Sequence, residues 1–247
     1  MQWGFFSITH IVSLFIGVAI ISALYFALRN RNDKIKIAVL GVLSFSGICA
    51  IVFNLVTWGS PLEYLPLHLC SLNALVLPLA VFSRNKVLNN LLLLWSFGAL
   101  FALLMNVSVA EAEIFSSVFC FYYFPHVLEL GIPILMFMFG LVKKDMKCIA
   151  STVIITFSAY TVIHFINVAI NNYAQKNSVL DYAGNVIKVN YMFSVTPDNP
   201  LLALFYSIIP HEYWYMYLAL LPVAIYLGLV YLSDIIKLIK NKKEKLT

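Results

Sequence analysis

Seven apolar runs, each about as long as a bilayer's hydrocarbon core is thick, leave this chain very few ways to fold. They cover Phe5–Leu28, Ile35–Thr57, Pro66–Phe82, Val87–Val109, Pro125–Val142, Cys148–Ile170 and Tyr213–Ile236. A helix needs about 17–25 apolar residues to cross a membrane, and inside hydrocarbon only a helix or a closed barrel satisfies its own backbone. Composition agrees: the chain is 62% hydrophobic and 11% charged, with a mean hydropathy of +0.90. The expected class is all-α, a polytopic membrane bundle of seven transmembrane helices. The longest stretch outside the runs is Asn171–Glu212, so one transmembrane domain over residues 1–247 is expected. Neither an internal repeat nor a low-complexity segment interrupts it.

The charges orient the bundle. Of sixteen basic residues, fourteen fall in alternate loops and the tail: Arg29, Arg31, Lys34 and Lys36; Arg84 and Lys86; Lys143, Lys144 and Lys147; Lys237, Lys240, Lys242, Lys243 and Lys245. The other loops hold only Lys176 and Lys188, against six acidic residues including Glu63, Asp198 and Glu212. Basic loops stay in the cytoplasm, so the N-terminus is expected outside and the C-terminus inside. The net charge of +5 is therefore a topology signal and makes no case for nucleic acid. Met1–Gly4 lacks a basic leader region and the first run is too long for a signal peptide, so the first span is expected to stay.

With that orientation, all five histidines and Cys70 fall toward the outer side. An ionisable group inside a span is costly against lipid and usually faces a cavity or a partner. The sharpest local signal is Pro61–Leu62–Glu63–Tyr64–Leu65–Pro66–Leu67–His68–Leu69–Cys70. Pro66 suits a helix's first turn. Cys70 then lies in or just past that turn, where free amides and the helix dipole favour a thiolate or an oxyanion. Taken alone, the segment fits a small buried apolar cysteine at least as well.

Phe124–Pro125–His126–Val127–Leu128–Glu129 reads as the same device, a proline-started helix carrying His126. Glu129 is three residues on and shares its face. A carboxylate beside an imidazole fixes its tautomer, though, taken alone, an acid and a histidine at a wet helix start explain the pair better. Taken alone, His10 and His164 fit bundle-bridging polar groups better than catalysts. Asn167 sits beside His164 on the same span. His211, next to Trp214 and Tyr215, reads as interfacial. No metal is expected: no two histidines are three or four apart, and His68 and Cys70 are about 200° apart on a regular helix. No cofactor is implied. A disulfide between Cys70 and Cys120 is conceivable but not favoured.

The outer loop Asn171–Glu212 contains Asn190, Tyr191, Met192 and Phe193, then Pro197, Pro200 and Pro210. Leu201–Ile209 is too short to span. With Trp214, Tyr215 and Tyr217 the loop reads as a lid over the cavity or as an ordinary amphipathic connector.

Several of these pieces recur together. They are Phe5–Phe6–Ser7–Ile8–Thr9–His10, Leu65–Pro66–Leu67–His68–Leu69–Cys70, Pro125–His126 and Asn190–Tyr191–Met192, followed by an altered Pro210–His211–Glu212–Tyr213–Trp214–Tyr215. In their order and spacing the chain resembles the YwaF-like bacterial integral membrane proteins, related to the animal transmembrane protein 164 family. The resemblance covers nearly the whole chain. It implies a bacterial plasma-membrane protein and cysteine-dependent transfer of a fatty acyl chain from a phospholipid to a lysophospholipid. It also implies Cys70 as the nucleophile and His126 as the histidine of the proline–histidine pair; His68 and His10 match family positions without an assigned role.

The two lines meet in one expectation. Cys70, His126 and Glu129 form the catalytic set, and His10, His68, His164, Asn167, Asn190 and Tyr191 surround the lipid. Water as acceptor would make the enzyme a lipase. The alternative is a seven-span receptor or transporter that binds a lipid or small molecule without covalent chemistry. The orientation is testable directly: a membrane-impermeant thiol reagent applied from outside should label a Lys188→Cys variant and spare Lys243→Cys.

Overall fold

The computed structural model describes residues 1–58, 60–181 and 183–244; Lys245 of the basic tail lies outside the described residues. Helix accounts for 73% of it, with no strand among the described residues. The chain forms α1 (Ile8–Leu28), α2 (Asp33–Ser44), α3 (Ser46–Thr57), α4 (Leu69–Ser83) and α5 (Lys86–Leu104). There follow α6 (Ser117–Met138), α7 (Cys148–Asn177), α8 (Pro200–Ile208), α9 (Leu220–Val230) and α10 (Leu232–Glu244).

Among the described residues, five segments are long and apolar enough to cross a membrane: α1, α2 with α3, α5, α6 and α7. Leu69–Ser83 and Trp214–Val230 are shorter apolar helices. At 15 residues, α4 rises about 22 Å, short of a hydrocarbon core of about 30 Å. The expected second span bends at Phe45 between α2 and α3. The last breaks into a 3₁₀ stretch at Trp214–Ala219, then α9 and α10. As expected, α8 is too short to span at nine residues.

Two expected helix starts are moved. Pro66 lies in an irregular stretch before α4, which begins at Leu69 with extended His68 as its N-cap. Cys70 is then the second helical residue, so its first-turn position stands. Pro125 does not start a helix. The Ser116 side chain caps the Phe119 amide, and α6 runs through the aromatic segment Phe119–Phe124 with Pro125 and Pro133 inside it. A strong N-cap and continuous apolar packing outweigh the proline penalty here, because neighbouring helices hold the segment in place.

The bundle is built around α5 and α6. Their spanning windows are 56% and 61% buried, against 17–22% for α1, α2 with α3, and α7. In α5 every residue from Asn89 to Ser96 is buried, so that stretch turns no face to the surroundings. Helix α1 closes on α6 through glycines. A Cβ on Gly17 would stand 3.2 Å from Val127, and one on Gly131 would stand 2.6 Å from Ile21. Without an apolar driving force between lipid-bathed helices, this close approach is what associates them.

The lysine-bearing loops gather at one end. Lys86 pairs with Asp145, and Lys144 reaches Asp234 at 3.4 Å and the Val230 carbonyl at 2.7 Å. Asn90 is the hub. Its Oδ1 accepts from the Tyr231 hydroxyl (2.7 Å) and the Asp145 amide (3.1 Å), and its Nδ2 donates to the Lys86 carbonyl (2.8 Å). Asn90→Leu leaves the Tyr231 and Asp145 donors unpaired, at about 1–3 kcal/mol each if they stay buried. Thermal unfolding in detergent should show a clear drop in Tm for Asn90→Leu, and little change for Lys176→Gln on the exposed end of α7.

Candidate functional site

At the end of the bundle opposite the lysine loops, a cavity of about 710 Å³ opens between α4, α5, α6, α7 and the 179–223 segment. Glu63, His68, Lys188, Asn190 and Asp198 line its polar part. Leu94, Phe97 and Phe101 of α5, with Val153 and Phe157 of α7, line an apolar shaft that α8 and α9 close through Phe205 and Val223. From Leu94 to Met105 the shaft follows α5 for about 16 Å at helical rise. The shape suits a ligand with a polar head and a long apolar chain.

Cys70 and His126 both line this cavity. Cys70 is half-buried and unpaired, like the other three cysteines, so no disulfide joins it to Cys120. No side chain caps the first turn of α4, which leaves its leading amides available to an anion beside the sulfur.

His126 sits mid-helix. Pro125 withholds an amide from the carbonyl four residues back, and one step on, His126 Nδ1 bonds the Tyr122 carbonyl at 2.6 Å. A carbonyl only accepts, so Nδ1 carries the hydrogen and Nε2 is left as the basic nitrogen. The Tyr122 ring lies under the imidazole with centroids 4.3 Å apart, and its hydroxyl bonds the Ala102 carbonyl at 3.0 Å. Tyr122 therefore holds His126 in place, the part expected of Glu129. The Glu129 side chain turns away from the imidazole, toward Gly47 and Ala74, and does not line the cavity. One signal for Tyr122 was readable: it lies one helical turn before a histidine that follows a proline.

The residues expected around a lipid divide into two groups. His68, Asn190 and Tyr191 line the cavity; His10, His164 and Asn167 do not. His10 is fully buried between Phe6 and α5, accepting from the Phe6 amide (3.1 Å) and meeting the Leu103 carbonyl (2.8 Å). Asn167 donates to the Tyr191 carbonyl (2.8 Å) and Ser194 Oγ (2.9 Å) and accepts from the Tyr191 amide (3.0 Å). His164 meets Ser194 Oγ at 3.1 Å. His10 and Asn167 fasten backbone and His164 meets the Ser194 side chain, so all three are engaged outside the cavity.

The irregular chain from Tyr191 to Ser194 roofs the cavity. The loop folds back over the bundle, and Tyr191 is 1% exposed. The Tyr191 hydroxyl donates to the Leu62 carbonyl and accepts from the Leu65 amide, and its ring meets His68 edge-on at 5.3 Å. Burial raises the Tyr191 hydroxyl pKa to about 12, so it stays neutral and able to donate. Asn190 bonds Thr196, Asp198 and Val195 and folds the loop upon itself. The fully buried Tyr215 ties on the next turn through the Thr196 carbonyl (2.9 Å). Tyr191→Phe removes the tie to the segment before α4. It should expose that segment to proteolysis and speed its amide hydrogen exchange, while exchange in the centre of α5 stays unchanged.

The TMEM164 family model matches residues 5–232. No curated protein and no solved structure matches the chain.

Proposed function

This chain belongs to the TMEM164 family and is an integral membrane protein with several long apolar helices, and on that footing we propose that it is a cysteine-dependent lipid acyltransferase. The observation that carries the reading is that Cys70, at an uncapped helix start, and His126, with Nε2 left basic, line one cavity with a polar end and an apolar shaft. The substrates are a phospholipid and a lysophospholipid, with the acyl chain in the shaft and the headgroup near Lys188, Asp198 and Glu63. His68, Asn190 and Tyr191 bound the headgroup end. Seven crossings, the N-terminus outside and residence in a bacterial plasma membrane belong to the same reading. They rest on the loop charges and the motif likeness.

The chemistry is a two-step exchange. His126 Nε2 takes the Cys70 proton as the sulfur attacks the ester carbonyl, and the first-turn amides of α4 stabilise the oxyanion. The C–O bond breaks, the imidazolium returns its proton to the leaving alkoxide, and an acyl thioester remains on Cys70. His126 then deprotonates the acceptor hydroxyl, which attacks the thioester and releases the thiol. Water in place of the acceptor yields a free fatty acid. Tyr122, through its carbonyl, keeps Nε2 the basic nitrogen throughout.

Incubating the protein in lipid vesicles with an alkyne-tagged phospholipid should give a thioester that hydroxylamine removes, and tagged product when lysophospholipid is supplied. Cys70→Ala should abolish both, while Cys49→Ser should leave them nearly unchanged. His126→Ala should lower the rate by about 10²–10⁴-fold, the usual weight of a general acid–base group. Lipid binding that survives in Cys70→Ala, with no thioester in the wild type, would replace the enzyme with a lipid-binding receptor or carrier.

A further inference from the structure

Between α3, α4 and α6, a carboxyl and an amide are buried without hydrogen-bond partners. Glu129 is 3% exposed and Asn73 is 0% exposed. Glu129 Oε2 and both Nδ2 and Oδ1 of Asn73 bond nothing. Burying a carboxylate with no counter-charge is strongly unfavourable, so either a proton or a small cation accompanies it.

The two groups occupy one neighbourhood. Glu129 Oε1 lies against α3 and α4: a Cβ on Gly47 would stand 2.9 Å from that oxygen and 2.5 Å from the Ala74 Cβ. Asn73 adjoins Ala74, and Cys70, Asn73 and Leu77 run down one stripe of α4. Two prolines free carbonyl oxygens on the same two helices. Pro78 has no amide for the Ala74 carbonyl, and Pro133 has none for the Glu129 carbonyl. The main chain is thus short of a donor at the two residues that meet there. Carbonyls released at broken helices, together with a carboxylate, are the donors by which membrane helices hold small cations.

We propose that this junction binds one small monovalent cation of the sodium type. Its donors are the Glu129 carboxylate, the Glu129 and Ala74 carbonyls, and Asn73 Oδ1. Asn73 Nδ2 serves the second carboxylate oxygen. Hard oxygen donors suit such an ion, and one carboxylate balances one charge. The described residues contain no group of three histidines, cysteines or acidic residues of the kind a transition metal takes. Neither Asn73 nor Glu129 lines the large cavity. The ion instead clamps α4 to α6 about one turn below Cys70.

Thermal unfolding of the full chain in nanodiscs tests this, with sodium chloride replacing choline chloride at constant ionic strength. Tm should rise saturably with sodium, since a ligand bound only by the folded state stabilises it. Glu129→Gln should lose the sodium-dependent rise. Pro78→Ala, which returns an amide to the Ala74 carbonyl, should move half-saturation to severalfold higher sodium. Should Glu129→Gln fail to fold, radioactive sodium binding to the wild type, displaced by sodium but not by choline and weakened in Pro78→Ala, reads the same site. A Tm indifferent to sodium, or a rise retained in full by Glu129→Gln, overturns the proposal and leaves a carboxyl neutralised by a proton. Acyl transfer is not measured, so either outcome leaves the cysteine mechanism to its own test.

Discussion

Hydrocarbon returns no hydrogen bonds to a backbone that has lost them. In this chain the losses are deliberate in position: Pro78 in α4, and Pro125 and Pro133 in α6. Each sits inside an apolar helix and each withholds an amide from the carbonyl four residues back. In an isolated helix a proline interior costs about 3 kcal/mol. Here both helices pack into the middle of the bundle, where their neighbours hold the path of the chain. Around the broken ladders lie the groups on which the proposed chemistry rests: His126 with Tyr122 near one, Glu129 and Asn73 near the others.

This constraint also explains which parts were legible beforehand. Apolar length announced the long helices, because hydrocarbon thickness admits little else. Proline was misleading. In water it marks a helix start, so Pro125 masked the eight residues of α6 that precede it. The better signal was Ser116 ahead of an aromatic-rich apolar run, a cap that a shorter window passes over. The end of the bundle that His10, His126 and His164 share was readable, but their rotation was not. His10, His126 and His164 were all expected toward one side, yet only His126 turns to the cavity. Glu129 shares a helix face with His126 by spacing, and still the offset of about 60° between them directs it to a different neighbour.

Cys70, His68, Asn190 and Tyr191 were recognisable through their motifs and do line one cavity. Nothing in those motifs foretold how firmly the roof is tied. Asn167, Asn171 and Tyr160 on α7 each bond backbone in the segment from Val189 to Tyr213. Buried amide-to-backbone bonds of this kind hold an irregular segment in place where regular hydrogen-bond ladders are missing. The cavity roof is therefore a fixed surface, and its polar residues are oriented before any ligand arrives.

Helix α9 is held in another way, through the Tyr226 hydroxyl, which donates to the Leu93 carbonyl of α5 at 2.9 Å. It has no buried residue, yet it supplies Leu220, Pro222 and Val223 to the cavity wall. With the roof fastened and this wall on the outside of the bundle, the way in for the proposed lipid substrates is sideways from the surrounding membrane. A guest arriving that way is not counted in moles per litre of buffer. Its supply is a mole fraction within the leaflet, so diluting the membrane with inert lipid would slow turnover at constant bulk concentration, and diluting the buffer would not.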